Sequence, residues 1–456
     1  MRKILLIIYM INIYINIISP EKLLKIPFKL FLTSCFYKDN PEIISNKFMS
    51  QPVIELSIGT PPQKFNISLD IKDNFYSCFL KNNLPNINFS SLYNKSSSLT
   101  YKCEQNKTLF PIEIFNEAEI FSDNINFGTE NKNIEKNMRF LLIDNLRKTV
   151  LFPGLIGLAL KNDNRQLNEN AFLYQLKKYG LIDTEIFYFN FENEQGGQFI
   201  IGENLFNNEN YKKIRVGSIH QLSSKLLWSF NFDGVYYGNT QNLGNENAVF
   251  ELGYGLTIGS SNYENIIKVF FQNETNCYLN STNIGSIYLK YYWCEKDNII
   301  EEKMQNLTFE LKSINFNFTF NGKDLFFEKD NKKFFKILFL FDNFQVYWYL
   351  GHDFLEKYKI RFDLERKLLY IPLKETEDDT TPSEISNNRD NDISYLLKSW
   401  QFWFAVSLGI VIIGLIIFII IYIKKYPKKK KVYELDNTDE DYNDSKKENL
   451  NENNIN

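Results

Sequence analysis

Across residues 51–373 short apolar stretches alternate with polar ones at a period near two, broken by Asn, Gly, Asp and Ser. Val53-Ile54-Glu55-Leu56-Ser57-Ile58 and Phe65-Asn66-Ile67-Ser68-Leu69 flank the turn Gly59-Thr60-Pro61-Pro62, a strand–turn–strand signature. The same pattern predicts strands over 185–191, 198–201, 228–232, 316–320 and 344–350. Strands at this spacing, with few strong helical periods, indicate an all-β architecture.

The pattern changes at both ends. Arg2 and Lys3 precede an apolar run that ends near Ser19, which reads as a signal peptide over 1–19, or otherwise as an uncleaved anchor. Residues 401–423 form an apolar run long enough to cross a bilayer, which takes about 20 residues. Trp400 and Trp403 stand at one edge, and Lys424, Lys425 and the lysines at 428–431 at the other. Aromatic anchors and a positive flank predict a single-pass type I membrane protein with a cytosolic C-terminus. Between the β-rich region and this run, 374–399 is expected to be an acidic stalk. The tail over 424–456 is polar, charged and aperiodic, and is expected to be disordered.

Hydrophobic residues make up 44% of the 456 residues, enough for two packed lobes with appendages. The formal net charge of −3 leaves no basic footprint for nucleic acid. Five cysteines occur in a chain expected to enter an oxidising compartment. Cys78 with Cys103 and Cys277 with Cys294 are the local pairs expected to form disulfides, and Cys35 is left over. Sequons at Asn66, Asn88, Asn94, Asn106, Asn273, Asn280, Asn306 and Asn317 permit glycosylation without requiring it. His220 and His352 lack metal-ligand spacing and read as surface or structural residues, and Trp228 and Trp348 as core aromatics. With no G-x-S-x-G element, no metal motif and no cofactor motif, serine hydrolase and zinc protease chemistry have no support.

The segment ELSIGTPPQKFNISLD resembles the start of a pepsin-like aspartic protease. Further landmarks follow in the family's order: YNKSSSLTY at 93–101, Gly154-Leu155-Ile156-Gly157-Leu158, and FYFNFENEQGGQFIIG at 187–202. WSFNFDG at 228–234 and YLGHDFLEKYKIRFD at 349–363 complete the series. The resemblance spans most of 50–373 and implies the two-lobed pepsin-like aspartic protease fold. It divides that region into an N-terminal β lobe (50–215) and a C-terminal β lobe (216–373), ahead of the stalk, a transmembrane helix (400–423) and the tail read from hydropathy and charge. LKIPFKLFLTS at 24–34 resembles the opening of the family's activation segment, so 20–49 reads as a short prosegment-like region or a coincidental basic-apolar stretch.

Family catalysis uses two aspartates, one per lobe, which share a proton and activate a water. The resemblance places the first at Asp70, followed by Ile71 and Lys72 where the family has a hydroxyl residue and glycine. It places the second at Glu251, followed by Leu252 and Gly253. A flap expected over 110–128 has no Tyr, and no Gly before Gly128. These departures imply a catalytically impaired, membrane-anchored protein that binds a peptide or protein in the interlobe cleft without a cofactor. The alternative is a divergent aspartic endopeptidase using the Asp70–Glu251 carboxylates. A weaker third reading is adhesion or scaffolding through the stalk and tail.

Overall fold

The computed structural model describes residues 22–32, 47–72, 77–81, 92–109, 117–129, 132–143, 151–160, 169–205, 208–216, 227–274, 276–284, 287–296, 300–341 and 347–373. Among them no helix is long and apolar enough to cross a membrane, and the runs at 1–19 and 401–423 lie outside them. So do Cys35, His220, the stalk and the tail.

Strands dominate, as the period-two pattern requires. The first half of the β-rich region carries β1 (Leu24–Leu32), β2 (Ser50–Ile58), β3 (Gln63–Asp70), β4 (Ser77–Leu80) and β5 (Lys102–Leu109). It continues with β6 (Glu117–Thr129), β7 (Lys132–Ile143), β8 (Gly154–Gly157), β9 (Ile186–Asn193), β10 (Gly196–Ile201) and β11 (Tyr211–Arg215). A short helix α1 (Phe172–Lys178) buries Phe172, Leu173 and Leu176 against these strands.

The second half opens with β12 (Ser229–Phe232), β13 (Gly234–Tyr237), β14 (Thr240–Leu243), β15 (Glu246–Phe250) and β16 (Thr257–Ile258). Helix α2 (Ser261–Gln272) follows, started by the Ser260 hydroxyl that accepts from the Tyr263 N–H. Then come β17 (Cys277–Ile284), β18 (Ile287–Glu295), β19 (Leu307–Leu311), β20 (Phe316–Phe320) and β21 (Phe326–Lys329). The series ends with β22 (Lys332–Phe335), β23 (Ile337–Leu340), β24 (Tyr347–Leu350), α3 (His352–Tyr358), β25 (Arg361–Asp363) and β26 (Leu368–Pro372).

A thirteen-stranded sheet runs β11-β26-β25-β9-β10-β1-β2-β3-β8-β4-β7-β6-β5. The last two strands of the second half thus return to the sheet of the first, and this return ties the halves together. A nine-stranded and a four-stranded sheet are built only from strands between Ser229 and Leu350. Within each half, a strand lies parallel to the strand that will carry a site carboxylate: β8 beside β3, and β24 beside β15. Core aromatics knit the seam between them. Trp228 and Trp348 are buried as expected, and the Trp228 indole donates to Leu158 O at 2.9 Å.

Cysteine pairing is half as expected. Cys277 and Cys294 are joined at the open end of the β17–β18 hairpin, where they face each other in register. Cys78 and Cys103 are not joined. In the sheet Cys78 aligns with Leu141, Leu141 with Ile120 and Ile120 with Gln105, so three strand spacings of about 4.8 Å separate them. A disulfide needs Cα atoms within about 7 Å. Proximity in sequence hid the fact that β4 and β5 are not neighbours.

Candidate active site

The Asp70 loop grows from β3. Its backbone is fixed by parallel pairing with β8, in which Asp70 lies opposite Gly157, and by the Leu158 N–H donating to Asp70 O at 2.6 Å. The carboxylate caps its own turn: Oδ1 accepts the Lys72 N–H at 2.8 Å. Ile71 is 1% exposed and belongs to the main hydrophobic core. Replacing a family hydroxyl residue by Ile has therefore moved that side chain out of the polar network and into the apolar interior.

The Glu251 loop leaves β15 in the same manner. β15 runs parallel to β24, and the Glu251 N–H donates to Leu350 O at 3.1 Å. Glu251 Oε1 accepts the Gly253 N–H at 3.2 Å. Leu252 is buried at 1% exposure, so the second bracing hydroxyl is replaced by a core side chain as well. Gly253 is not forced by crowding, since a Cβ there would meet its nearest neighbours at 3.4 Å.

Lys72 joins the two loops. Its ammonium lies 2.7 Å from Glu251 Oε2 and 5.4 Å from the centre of the Tyr349 ring. The long side chain that occupies the family's glycine position thus reaches from one carboxylate loop to the other carboxylate. Both oxygens of Glu251 are engaged, one by an ammonium and one by a backbone N–H.

Two contributors escaped the sequence reading. Gln51 donates from Nε2 to Leu69 O, one residue before Asp70, and sits beside Gly253 of the other loop. His352, at the start of α3, is 4% exposed, with Nε2 2.7 Å from Leu252 O and Nδ1 3.2 Å from Ser50 Oγ. A carbonyl only accepts, so Nε2 carries the proton and Nδ1 accepts the Ser50 hydroxyl. Burial pushes His352 down to about 4, partly offset by the bond to Leu252 O. Its neighbour Asp353 is pushed up to about 6 by burial, against opposing bonds from Thr257. The histidine's role had no local signal, because its partners lie a hundred residues or more away in sequence.

Beside Asp70 opens a cavity of about 240 Å³. Leu80, Ile143, Leu151, Phe152 and Leu155 give it apolar walls, and Asp70, Glu251 and Gly253 line its polar side. Cys78 also lines it, its thiol pushed up to about 12 by burial first and by the Asp70 charge second. Such a thiol is protonated and unreactive. The expected flap falls partly on β6, and its segment 110–116 lies outside the described residues. Among the described residues no group of three or more His, Cys, Asp or Glu side chains is placed to hold a metal ion.

Two carboxylate loops, each hung from a parallel strand pair and facing a common cavity, are the ground plan of a two-carboxylate peptidase site. A comparison with family models agrees with that plan: the model for eukaryotic aspartyl protease matches residues 51–371. No curated protein matches the chain. The match covers most of the chain and takes in both loops, and this chain belongs to the eukaryotic aspartyl protease family.

Proposed function

We propose that this protein is a non-catalytic, membrane-tethered member of its family that holds a peptide or protein segment in the cleft between its lobes. The observation that carries the reading is the Lys72–Glu251 ion pair at 2.7 Å. Peptide hydrolysis at a paired-carboxylate site requires two acids close enough to share one proton and a water between them. An ammonium paired with Glu251 offsets the like-charge repulsion that enforces proton sharing. With the Gly253 N–H on the other oxygen, it competes with a water for the acceptor sites of Glu251. The buried Ile71 and Leu252 supply no hydroxyl to hold either carboxylate in place. Errors of about 1 Å in such placement cost around a hundredfold in rate.

Binding needs none of this. The 240 Å³ cavity suits one apolar side chain of a bound segment, and the carboxylates and backbone groups at its rim can orient the main chain. Tethering rests on the apolar run at 401–423 and its lysine flank. The Cys277–Cys294 disulfide favours an oxidising compartment on the far side of that membrane.

The test is affinity selection of a diverse peptide pool on the purified protein, followed by mass spectrometry of what is retained. The expected result is recovery of intact peptides rich in one large apolar residue, with recovery lost in Leu155→Arg, which puts a charge into the cavity. Recovery of cut peptides would support the competing reading, a divergent endopeptidase, whose support is the carboxylate at both Asp70 and Glu251.

A further inference from the structure

The segment between the candidate signal peptide and the first family landmark is a strand with two neighbours. The first half of β1 pairs antiparallel with β10, from Leu24 opposite Ile201 to Lys29 opposite Gly196. The second half pairs antiparallel with β2, from Phe28 opposite Ile54 to Leu32 opposite Ser50. Pro27, which has no N–H to give, falls in the half that pairs on one side only. Beyond the ladder, the Leu30 N–H donates to Gln195 O at 2.7 Å, and the Lys22 N–H to Asp183 Oδ2 at 3.1 Å.

Alternate side chains of β1 go into the core. Leu24, Ile26 and Phe28 are 4%, 2% and 3% exposed, while Lys25, Pro27 and Lys29 face outward. The Phe28 ring packs edge-on against Phe189 and Phe191, at 5.7 and 5.4 Å between centres.

The receiving side is shaped to the backbone of β1. A Cβ on Gly196 would lie 2.1 Å from Phe28 O, and one on Gly202 would lie 2.5 Å from Lys22 O. Both glycines also adopt positive φ, +155° and +102°. No other residue type fits at either place while β1 is seated.

We infer that β2 and β10 form a strand-binding groove which keeps Leu24–Leu32 seated without the covalent link to Ser50, so that a cut anywhere within 33–46 produces a two-chain protein and not a shortened one. The ligand of this groove is an extended segment with apolar residues at alternate positions, supplied by the chain itself. The prosegment-like reading of 20–49 is thereby narrowed: whatever happens to the link, the strand remains. The inference does not depend on whether the cleft is catalytic.

The experiment introduces a recognition sequence for a specific protease between Lys38 and Asn40 of the full-length chain in detergent, cuts it, and follows both pieces by native size exclusion and mass spectrometry. The N-terminal piece is expected to co-elute one-to-one with the remainder and to separate only in denaturant. In the cut protein, Phe28→Ala is expected to speed exchange against an isotope-labelled 22–32 peptide by about a hundredfold or more. Loss of the piece from a still-folded remainder would overturn the inference, and so would unfolding of the whole on cutting. Hydrogen exchange on the uncut chain gives an independent reading: slow amides over β1, comparable to those of β2, support a seated strand, and free-peptide rates contradict it.

Discussion

The two carboxylate loops share a ground plan and differ in what holds them. The Asp70 loop hangs from β3 and β8, with the Leu158 N–H donating to Asp70 O and the Gln51 side chain to Leu69 O. The Glu251 loop hangs from β15 and β24 and is gripped from below as well. His352 N donates to Tyr254 O at 3.0 Å, His352 Nε2 to Leu252 O, and Gly255 N to Phe48 O at 2.6 Å. Phe48, fully buried, stacks on Tyr254 with ring centres 4.5 Å apart. The loop that departs furthest from the family's acid thus keeps partners from distant parts of the chain, Phe48 and His352. Scaffold and chemistry make different demands: the bonds that position a loop use backbone and buried side chains, whereas activation of a water needs two acids and their hydroxyls.

The difference can be broken most severely at Phe48. Its truncation in Phe48→Ala should destabilise the fold by about 3–5 kcal/mol, as for other buried aromatics, and urea melts would measure it. An equal effect from truncating Lys64, exposed at the far end of β3 from the Asp70 loop, would mean that the grip is not specific.

Acid probes the same grip through two adjacent groups with opposite signs. Asp353 is raised from 3.8 to about 6, so in that window the folded state holds the extra proton and stability rises as pH falls. His352 is lowered from 6.5 to about 4, so between those values the unfolded chain holds the extra proton and stability falls as pH falls. Side by side they largely cancel. Asp353→Asn should leave the histidine contribution alone, producing a loss on the order of 2–3 kcal/mol as pH falls from neutrality to about 4. Thermal melts across that range would show it, and a flat profile in the variant would contradict the assignment.

The smallest effect belongs to the bridge between the loops. Lys72 and Glu251 side chains are 29% and 14% exposed, and such a pair near the surface contributes within about 1 kcal/mol. Lys72→Met should therefore shift the melting midpoint little, and a shift of several kcal/mol would make the pair a structural keystone instead of an occupant of the site.

Much of this was legible in the sequence where the signal is local. The alternation around Gly59-Thr60-Pro61-Pro62 gives β2 and β3 with their turn, and Asp70 stands at the end of β3 as the resemblance places it. The Ile71, Lys72 and Leu252 replacements were visible as residue types. What they do was not, because Lys72 meets Glu251 only through the fold. For the same reason Ser50 and His352, 302 residues apart, gave no sign of their bond. Strand β1 carried a period-two pattern over only a few residues, and its two neighbours come from distant segments of the chain. The Cys78–Cys103 expectation failed on strand order, which short-range spacing does not encode.

If the Lys72–Glu251 pair stands where a working site would hold its water, the chain should not hydrolyse peptides through Asp70. Peptide turnover by the purified protein and by Asp70→Ala, followed side by side by mass spectrometry from acidic to neutral pH, decides the matter. No cleavage that distinguishes the two proteins is expected at any pH. Cleavage by the natural chain in acid that disappears in Asp70→Ala would show instead that the carboxylate pair still works.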